Sequence, residues 1–103
     1  MAEVIWTKAA LGDLNEIGDY IAQDSIAAAD KLIDSLYDAP DFLEDFPLAG
    51  RIVPEANKEN IREVLHSNYR IIYFLNKDVA NIVAVYHAAR KITRKAIVKR
   101  TSK

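Results

Sequence analysis

An α+β fold, with a helical hairpin packed on a small antiparallel sheet in the order β-α-α-β-β-β, is what this sequence predicts. Three observations carry that reading. Apolar residues recur at helical spacing through the first half, the period drops to two in the second half, and the second-half runs are joined by short turn-like connections. At 103 residues the chain suits a single domain, 1–103, built on one core.

Residues 4–6 form a short β-prone run, expected at a sheet edge, and Thr7 follows as a candidate N-cap. Behind it Leu11, Leu14, Ile17 and Ile21 make one helical stripe, with Asp13, Glu16 and Asp19 expected on the solvent side. Gly12 and Gly18 weaken this helix by about 1 kcal/mol each relative to Ala and mark a candidate close approach to a second helix. Asp24-Ser25 starts that second helix, whose stripe runs through Ala29, Leu32, Ile33, Leu36, Ala39 and Leu43. Pro40 lies inside the stripe, where its ring and missing donor predict a kink or a fresh helical start. Phe46-Pro47 then stops the helix, and Pro47-Leu48-Ala49-Gly50 reads as a turn in which Gly50 can supply a positive φ. Residues 61–66, 69–75 and 79–87 are rich in β-branched and aromatic side chains and predict three strands. Ser67-Asn68 and Asn76-Lys77-Asp78 are short enough to make them an antiparallel meander.

Residues 90–103 form a basic tail with seven Lys and Arg and no acid, open to three readings: a short helix, a partner-binding arm or a frayed end. On the second of these, removing residues 91–103 should weaken activity while leaving the fold intact. The tail completes a split of charge. Lys8 and Lys31 face eleven Asp and Glu in residues 1–50, a balance of −9, whereas residues 51–103 hold twelve Lys and Arg against four acids, a balance of +8. A split of this kind can build a basic face for an anionic partner, or the two halves can pair with each other.

The chain has no cysteine, which excludes disulfides, thiolate metal sites and cysteine nucleophiles, and no metal or cofactor is expected. Met1-Ala2-Glu3-Val4-Ile5-Trp6 lacks the cationic and apolar regions of a secretory leader, and the most apolar stretch, residues 79–89, is too short to span a membrane. A cytoplasmic protein without a membrane partner is the expectation.

The run Ala10-Leu11-Gly12-Asp13-Leu14-Asn15-Glu16-Ile17-Gly18-Asp19-Tyr20-Ile21-Ala22 resembles the first helix of ParE-type toxins. An alanine-rich second helix and Phe46-Pro47-Leu48-Ala49-Gly50-Arg51 follow in that family's order. Ile61-Arg62-Glu63-Val64-Leu65, Tyr69-Arg70-Ile71-Ile72-Tyr73 and Val83-Ala84-Val85-Tyr86-His87-Ala88-Ala89-Arg90 are similar to its three closing strands and their His-x-x-Arg ending. The resemblance to the ParE/RelE superfamily of type II toxin-antitoxin systems covers nearly the whole chain. It implies a RelE/ParE-like fold, a cognate antitoxin resembling ParD that wraps the toxin, and one of two targets. ParE relatives inhibit DNA gyrase, and RelE relatives cleave messenger RNA on the ribosome.

Cleavage through a 2′-hydroxyl needs a base, an acid and cations for the phosphate. The candidates are His87 as proton shuttle, Arg62, Arg70 and Arg90 as phosphate ligands, and Tyr86 as proton donor or base-stacking ring. Each also has a purely structural reading: Arg62 can pair with Glu63 or a helix carboxylate, and His87 can bond a loop. Arg62 and Arg70 share a sheet face only if the turn between their strands has an odd number of residues. RNA-cleaving relatives carry more Lys and Arg in the loop before these strands, whereas residues 53–60 hold Lys58 beside Glu55 and Glu59. The ParE-like branch, gyrase inhibition without catalysis, is therefore expected. Arg90, Lys91, Arg94, Lys95, Lys99 and Arg100 are its partner-binding candidates. A third reading is a non-toxic binding protein that keeps the fold.

Overall fold

The computed structural model describes residues 1–101, so the last two residues of the basic tail lie outside the described residues. Strand β1 (Glu3–Trp6) leads into helix α1 (Lys8–Ala22), and Thr7 caps that helix by accepting the Ala10 N–H at 3.3 Å. The Thr7 hydroxyl also donates to the Ile82 carbonyl at 2.7 Å, tying the cap to the sheet. Ser25 caps helix α2 (Ile26–Asp38). Pro40 then opens a new 3-10 segment, Ala39–Glu44, because its missing N–H is harmless in a first turn. Strands β2 (Arg51–Ile52), β3 (Ile61–His66), β4 (Tyr69–Asn76) and β5 (Val79–His87) follow, and helix α3 (Arg94–Thr101) closes the chain.

The architecture is the predicted helical hairpin on a sheet, with strand order β1-β5-β4-β3-β2. The meander β3-β4-β5 is antiparallel, as its short turns require. Strand β1 sits at the edge as expected but runs parallel to β5, so the sheet as a whole is mixed. No turn joins these two strands, and hence no local constraint dictates their relative direction. Strand β2, absent from the sequence reading, is too short to display an alternation.

Both faces of this sheet are covered. On one, α1 and α2 pack over Ile71, Tyr73, Ala80, Ile82 and Val85. On the other, Val53, Ala56 and Ile97 of α3 pack over Ile61, Ile72, Val83, Ala84 and Tyr86. A bulge in β5 adds to the second face. Ile72 pairs with Ala84 and Tyr73 with Ile82, leaving Val83 unpaired, so that Val83 and Ala84 both join the second cluster before Val85 returns to the first.

Three expectations are corrected here. The tail is not a removable arm, because Ile97 is buried to 1% exposure and deletion of residues 91–103 would open the second cluster. In α1 the stripe is set by Ala10, Leu14 and Ile17, while Leu11 stands 40% exposed. Asp13, expected in solvent, is buried beneath that helix because it finds a backbone donor and a guanidinium there.

Gly50 does not adopt a positive φ, which belongs instead to Asn57, Ser67 and Lys77. Its role is close approach. An added Cβ would lie 2.6 Å from the Tyr73 ring and hydroxyl and 2.8 Å from the Glu63 carbonyl oxygen. The buried Tyr73 hydroxyl accepts the Gly50 N–H at 3.0 Å and donates to the Pro47 carbonyl at 2.7 Å, pinning the predicted turn to the core. Gly18 likewise meets Ile33 of α2, at 3.2 Å, whereas Gly12 faces open space.

Gly50→Ala should destabilise the chain by roughly 3 kcal/mol through overpacking against a backbone carbonyl. Tyr73→Phe should cost about 1–3 kcal/mol by stranding a buried donor and acceptor. Both are read from urea unfolding midpoints, and a Gly50→Ala chain as stable as the parent would refute the close-packing argument. Burial pushes the Tyr73 hydroxyl above its ordinary value of 10.0, so the fold favours the protonated ring. That contribution is present below about pH 10 and lost as pH rises through the folded-state value; the loss should be absent in Tyr73→Phe.

Candidate functional site

On the face carrying α3, Glu63 occupies an inward position of β3 between Ile61 and Leu65, and its side chain is fully buried. A carboxylate there must be paired. Arg70 of β4 donates Nε to Glu63 Oε1 at 2.6 Å, and Arg51 of β2 donates Nε to Glu63 Oε2 at 2.5 Å. The other end of the Arg70 guanidinium donates twice to Glu55, at 2.9 and 2.7 Å. Hydrogen bonds to Glu55 and Glu63 together with their negative charges raise the Arg70 pKa against the opposing effect of burial. The bond from Arg70 holds the Glu55 carboxyl below its usual range, although partial burial opposes it.

Arg70, a candidate phosphate ligand, is thus a buried cation whose donors are engaged by two carboxylates. Arg62 is committed differently, donating to the backbone carbonyls of Leu48, Gly50 and Glu59. Arg62 pairs across the strands with Tyr73 and Arg70 with Leu65, which puts the two arginines on opposite faces. This is the consequence of the two-residue turn Ser67-Asn68, an even number.

A second constellation lies where β1 stops. Strand β1 covers β5 only from Val79 to Ile82, and beyond that the β5 edge is left to side chains. Asp13 accepts the Val85 N–H at 2.9 Å. Arg100 of α3 donates to the Val83 carbonyl at 3.1 Å and to both Asp13 oxygens, at 2.6 and 3.2 Å. The hydrogen bond that Arg100 donates to Asp13 raises the Arg100 pKa, against partial burial. Carboxylate and guanidinium together stand in for a missing neighbour strand. Arg100 is therefore a structural clamp, whereas the other partner-binding candidates, Arg90, Lys91, Arg94, Lys95 and Lys99, are all exposed.

Next to this clamp a cleft of about 290 Å³ opens between α1 and the ends of β4 and β5. Ile17, Tyr20, Tyr69, Tyr86, His87 and Arg90 line it, with Glu16 among the charged groups. Tyr86 is 4% exposed, and the Arg90 and Arg100 guanidinium carbons lie 4.7 and 5.3 Å from its ring centroid. His87 packs edge-on to Tyr69 at 5.4 Å. Its Nδ1 accepts the Ala89 N–H at 3.0 Å, so in the neutral ring the remaining nitrogen, Nε2, carries the proton. In that state His87 has no free lone pair with which to deprotonate a hydroxyl.

Of the five catalytic candidates the fold brings Tyr86, His87 and Arg90 to one cleft, pairs Arg70 with two carboxylates on the α3 face and ties Arg62 to backbone carbonyls beside Gly50. The sequence reading missed Asp13, Arg51, Glu55 and Glu63. Glu63 carried a usable signal, a charge at the inward phase of a strand alternation, and the same holds for Asp13 between Ala10 and Ile17 at i±3 or i+4. Arg51 and Glu55 lie in irregular sequence with no period to interrupt. Among the described residues no group of three or more His, Asp and Glu side chains could hold a metal ion, and no helix is long and apolar enough to cross a membrane.

Residues 4–92 match the family described as the ParE toxin of the type II toxin-antitoxin system parDE. A relative from Caulobacter vibrioides, Toxin RelE2, is 39% identical over 90 residues, spanning 87% of this chain and 99% of the relative. A chain of the chromosomal ParDE system from P. aeruginosa superposes with a TM-score of 0.69 at 18% identity, covering 84% of this chain and 96% of that one, a likeness of fold.

Truncating Arg70 to Ala leaves the buried Glu63 half-paired and should cost about 3–5 kcal/mol of stability in urea, whereas exposed His87→Ala should change it by less than about 0.5 kcal/mol. Equal stability of Arg70→Ala and the parent would show that the pair is dispensable. Because the Glu55 carboxyl is lowered in the folded state, its contribution is complete above the ordinary value of about 4.5 and is lost as pH falls through the folded-state value. Glu55→Gln should flatten that acid limb, measured by thermal melts across the carboxylate range.

Proposed function

Since the chain belongs to the ParE toxin family of type II toxin-antitoxin systems, we propose that it inhibits DNA gyrase by binding it and catalyses no reaction. The observation that carries this reading is the closure of Arg70 by Glu55 and Glu63. Phosphoryl chemistry on RNA needs cations free to meet developing charge, whereas Arg70 has spent its donors on two carboxylates and Arg62 gives its Nε and one Nη to backbone carbonyls. A protein that acts by occupancy needs only accessible surface, and Arg90, Lys91, Arg94, Lys95 and Lys99 provide it. In this reading residues 1–103 act as one toxin domain in the cytoplasm, where gyrase works.

The partner is a cognate antitoxin, which we take to be ParD-like. Apolar side chains stand ready for it: Tyr20, Ile26, Phe46 and Leu48 are 72%, 71%, 64% and 61% exposed. Exposed apolar groups of this size are what a partner segment folding on binding would cover.

The alternative is RelE-like cleavage of messenger RNA on the ribosome. The meeting of Tyr86, His87 and Arg90 in one cleft favours it, with Arg90 on the phosphate, Tyr86 donating a proton or stacking on a base, and His87 delivering a proton. A supercoiling assay with purified chain, gyrase and relaxed plasmid separates the two. Gyrase inhibition predicts loss of supercoiling or accumulation of cleaved plasmid, reversal by the cognate antitoxin, and full activity in His87→Ala. Intact supercoiling at high toxin, together with ribosome-dependent cleavage that His87→Ala abolishes, would replace the gyrase reading with the nuclease one.

A further inference from the structure

We propose that the exposed side of α3, with the segment leading into it, contacts the phosphate backbone of duplex DNA. The inference rests on the gyrase reading in one respect: the DNA met in the cell is the segment that gyrase holds. Its physical basis stands apart from that reading.

Within residues 88–101 there are six cations and no carboxylate. Arg100 is subtracted, because Asp13 and the Val83 carbonyl engage it. Arg90, Lys91, Arg94, Lys95 and Lys99 remain exposed, and among the described residues none of these five forms an ion pair. Burial of Ile97 fixes the rotation of α3 about its own axis. Lys95 and Lys99, one turn apart, therefore project together and lie about 6 Å apart along the axis. The acidic hairpin lies across the sheet from α3, so the molecule carries opposite charge on opposite faces and would turn α3 toward a polyanion.

What this face lacks narrows the partner further. A protein interface is anchored by buried aromatic or aliphatic side chains, but Ile97 already belongs to the core and Ile92 and Val98 are half-buried against it. Single-stranded nucleic acid is held by bases stacked on exposed aromatics, and residues 88–101 contain none. A cluster of exposed cations without anchors or stacking rings fits a duplex backbone, where affinity comes from counterion release and carries no sequence preference.

The test is fluorescence anisotropy of a labelled duplex of arbitrary sequence, titrated with the full chain at several salt concentrations. Four or five phosphate contacts predict a log–log salt slope of about −4 and a loss of roughly 250-fold in affinity between about 50 and 200 mM salt. Lys95→Glu/Lys99→Glu, on the exposed side of α3, should weaken binding by at least about tenfold and reduce the slope by about 2. Lys8→Glu, on the hairpin, should bind as the parent does, and circular dichroism verifies that both variants are folded. No binding at low salt, or a folded double variant that binds like the parent, overturns the proposal. If the double variant loses gyrase inhibition although the parent binds no free DNA, α3 touches gyrase protein and the DNA contact is wrong. DNA binding of the predicted slope without any effect on supercoiling would uphold the contact and sink the gyrase reading.

Discussion

The carboxylate of Glu63 is the constraint on which the α3 face of this molecule is built. A charge with no solvent exposure is tolerable only if it is paired, and the two donors, one to each oxygen, come from different strands. Arg51 reaches it from β2 and Arg70 from β4, so one side chain holds three strands in register. Arg70 then presents the far end of its guanidinium to Glu55, which fixes the loop carrying Val53 and Ala56 over the sheet. That loop and α3 complete the second apolar cluster. A hydrophobic residue at position 63 could serve stability equally well, but it would not specify which arginine, which loop and which register belong together.

The opposite edge of the sheet is handled by different means. Strand β1 ends at Trp6, level with Ile82, and leaves the end of β5 without a neighbour. Asp13 and Arg100 fill that place with side-chain donors and acceptors while binding α1 to α3 across the strand. The bulge at Val83 lies at the same point and turns Val83 and Ala84 toward α3. Edge protection, strand curvature and docking of the basic helix are thus one arrangement, which is why α3 is part of the core and not an appendage.

What could be read from sequence follows from what each feature depends on. The hairpin, its caps at Thr7 and Ser25, the restart at Pro40 and the three-strand meander rest on residues near one another in the chain, and all were legible. Strand β1's direction, β2 and the docking of α3 rest on partners dozens of residues away, where no period or turn reports the pairing. The same division runs through the site. Tyr86, His87 and Arg90 lie on one short stretch and were readily grouped, but the separation of Arg62 from Arg70 turns on a single residue of loop length. Asp13 reads as a solvent-facing acid and Glu63 as a partner for its neighbour Arg62, because charge is normally excluded from a core. Only their phase within otherwise apolar patterns set them apart.

Taken together, these commitments bear on what kind of work the surface can do. The chain carries fourteen Lys and Arg. Near the sheet, Arg70 and Arg100 are held by carboxylates, while Arg51 gives its Nε to Glu63 and Arg62 its Nε and one Nη to backbone carbonyls. A catalytic cation must meet charge that appears only in the transition state, and a guanidinium already matched to two carboxylates gains little from a third anion. Five exposed cations cluster on α3 and the segment before it, a disposition suited to long-range attraction and shallow contact. Chemistry and recognition place opposed demands on an arginine, rigid pre-alignment toward a reacting atom against exposure toward a large partner. In this fold Arg70 and Arg100 are turned inward onto carboxylates, and Lys95 and Lys99 of α3 face outward.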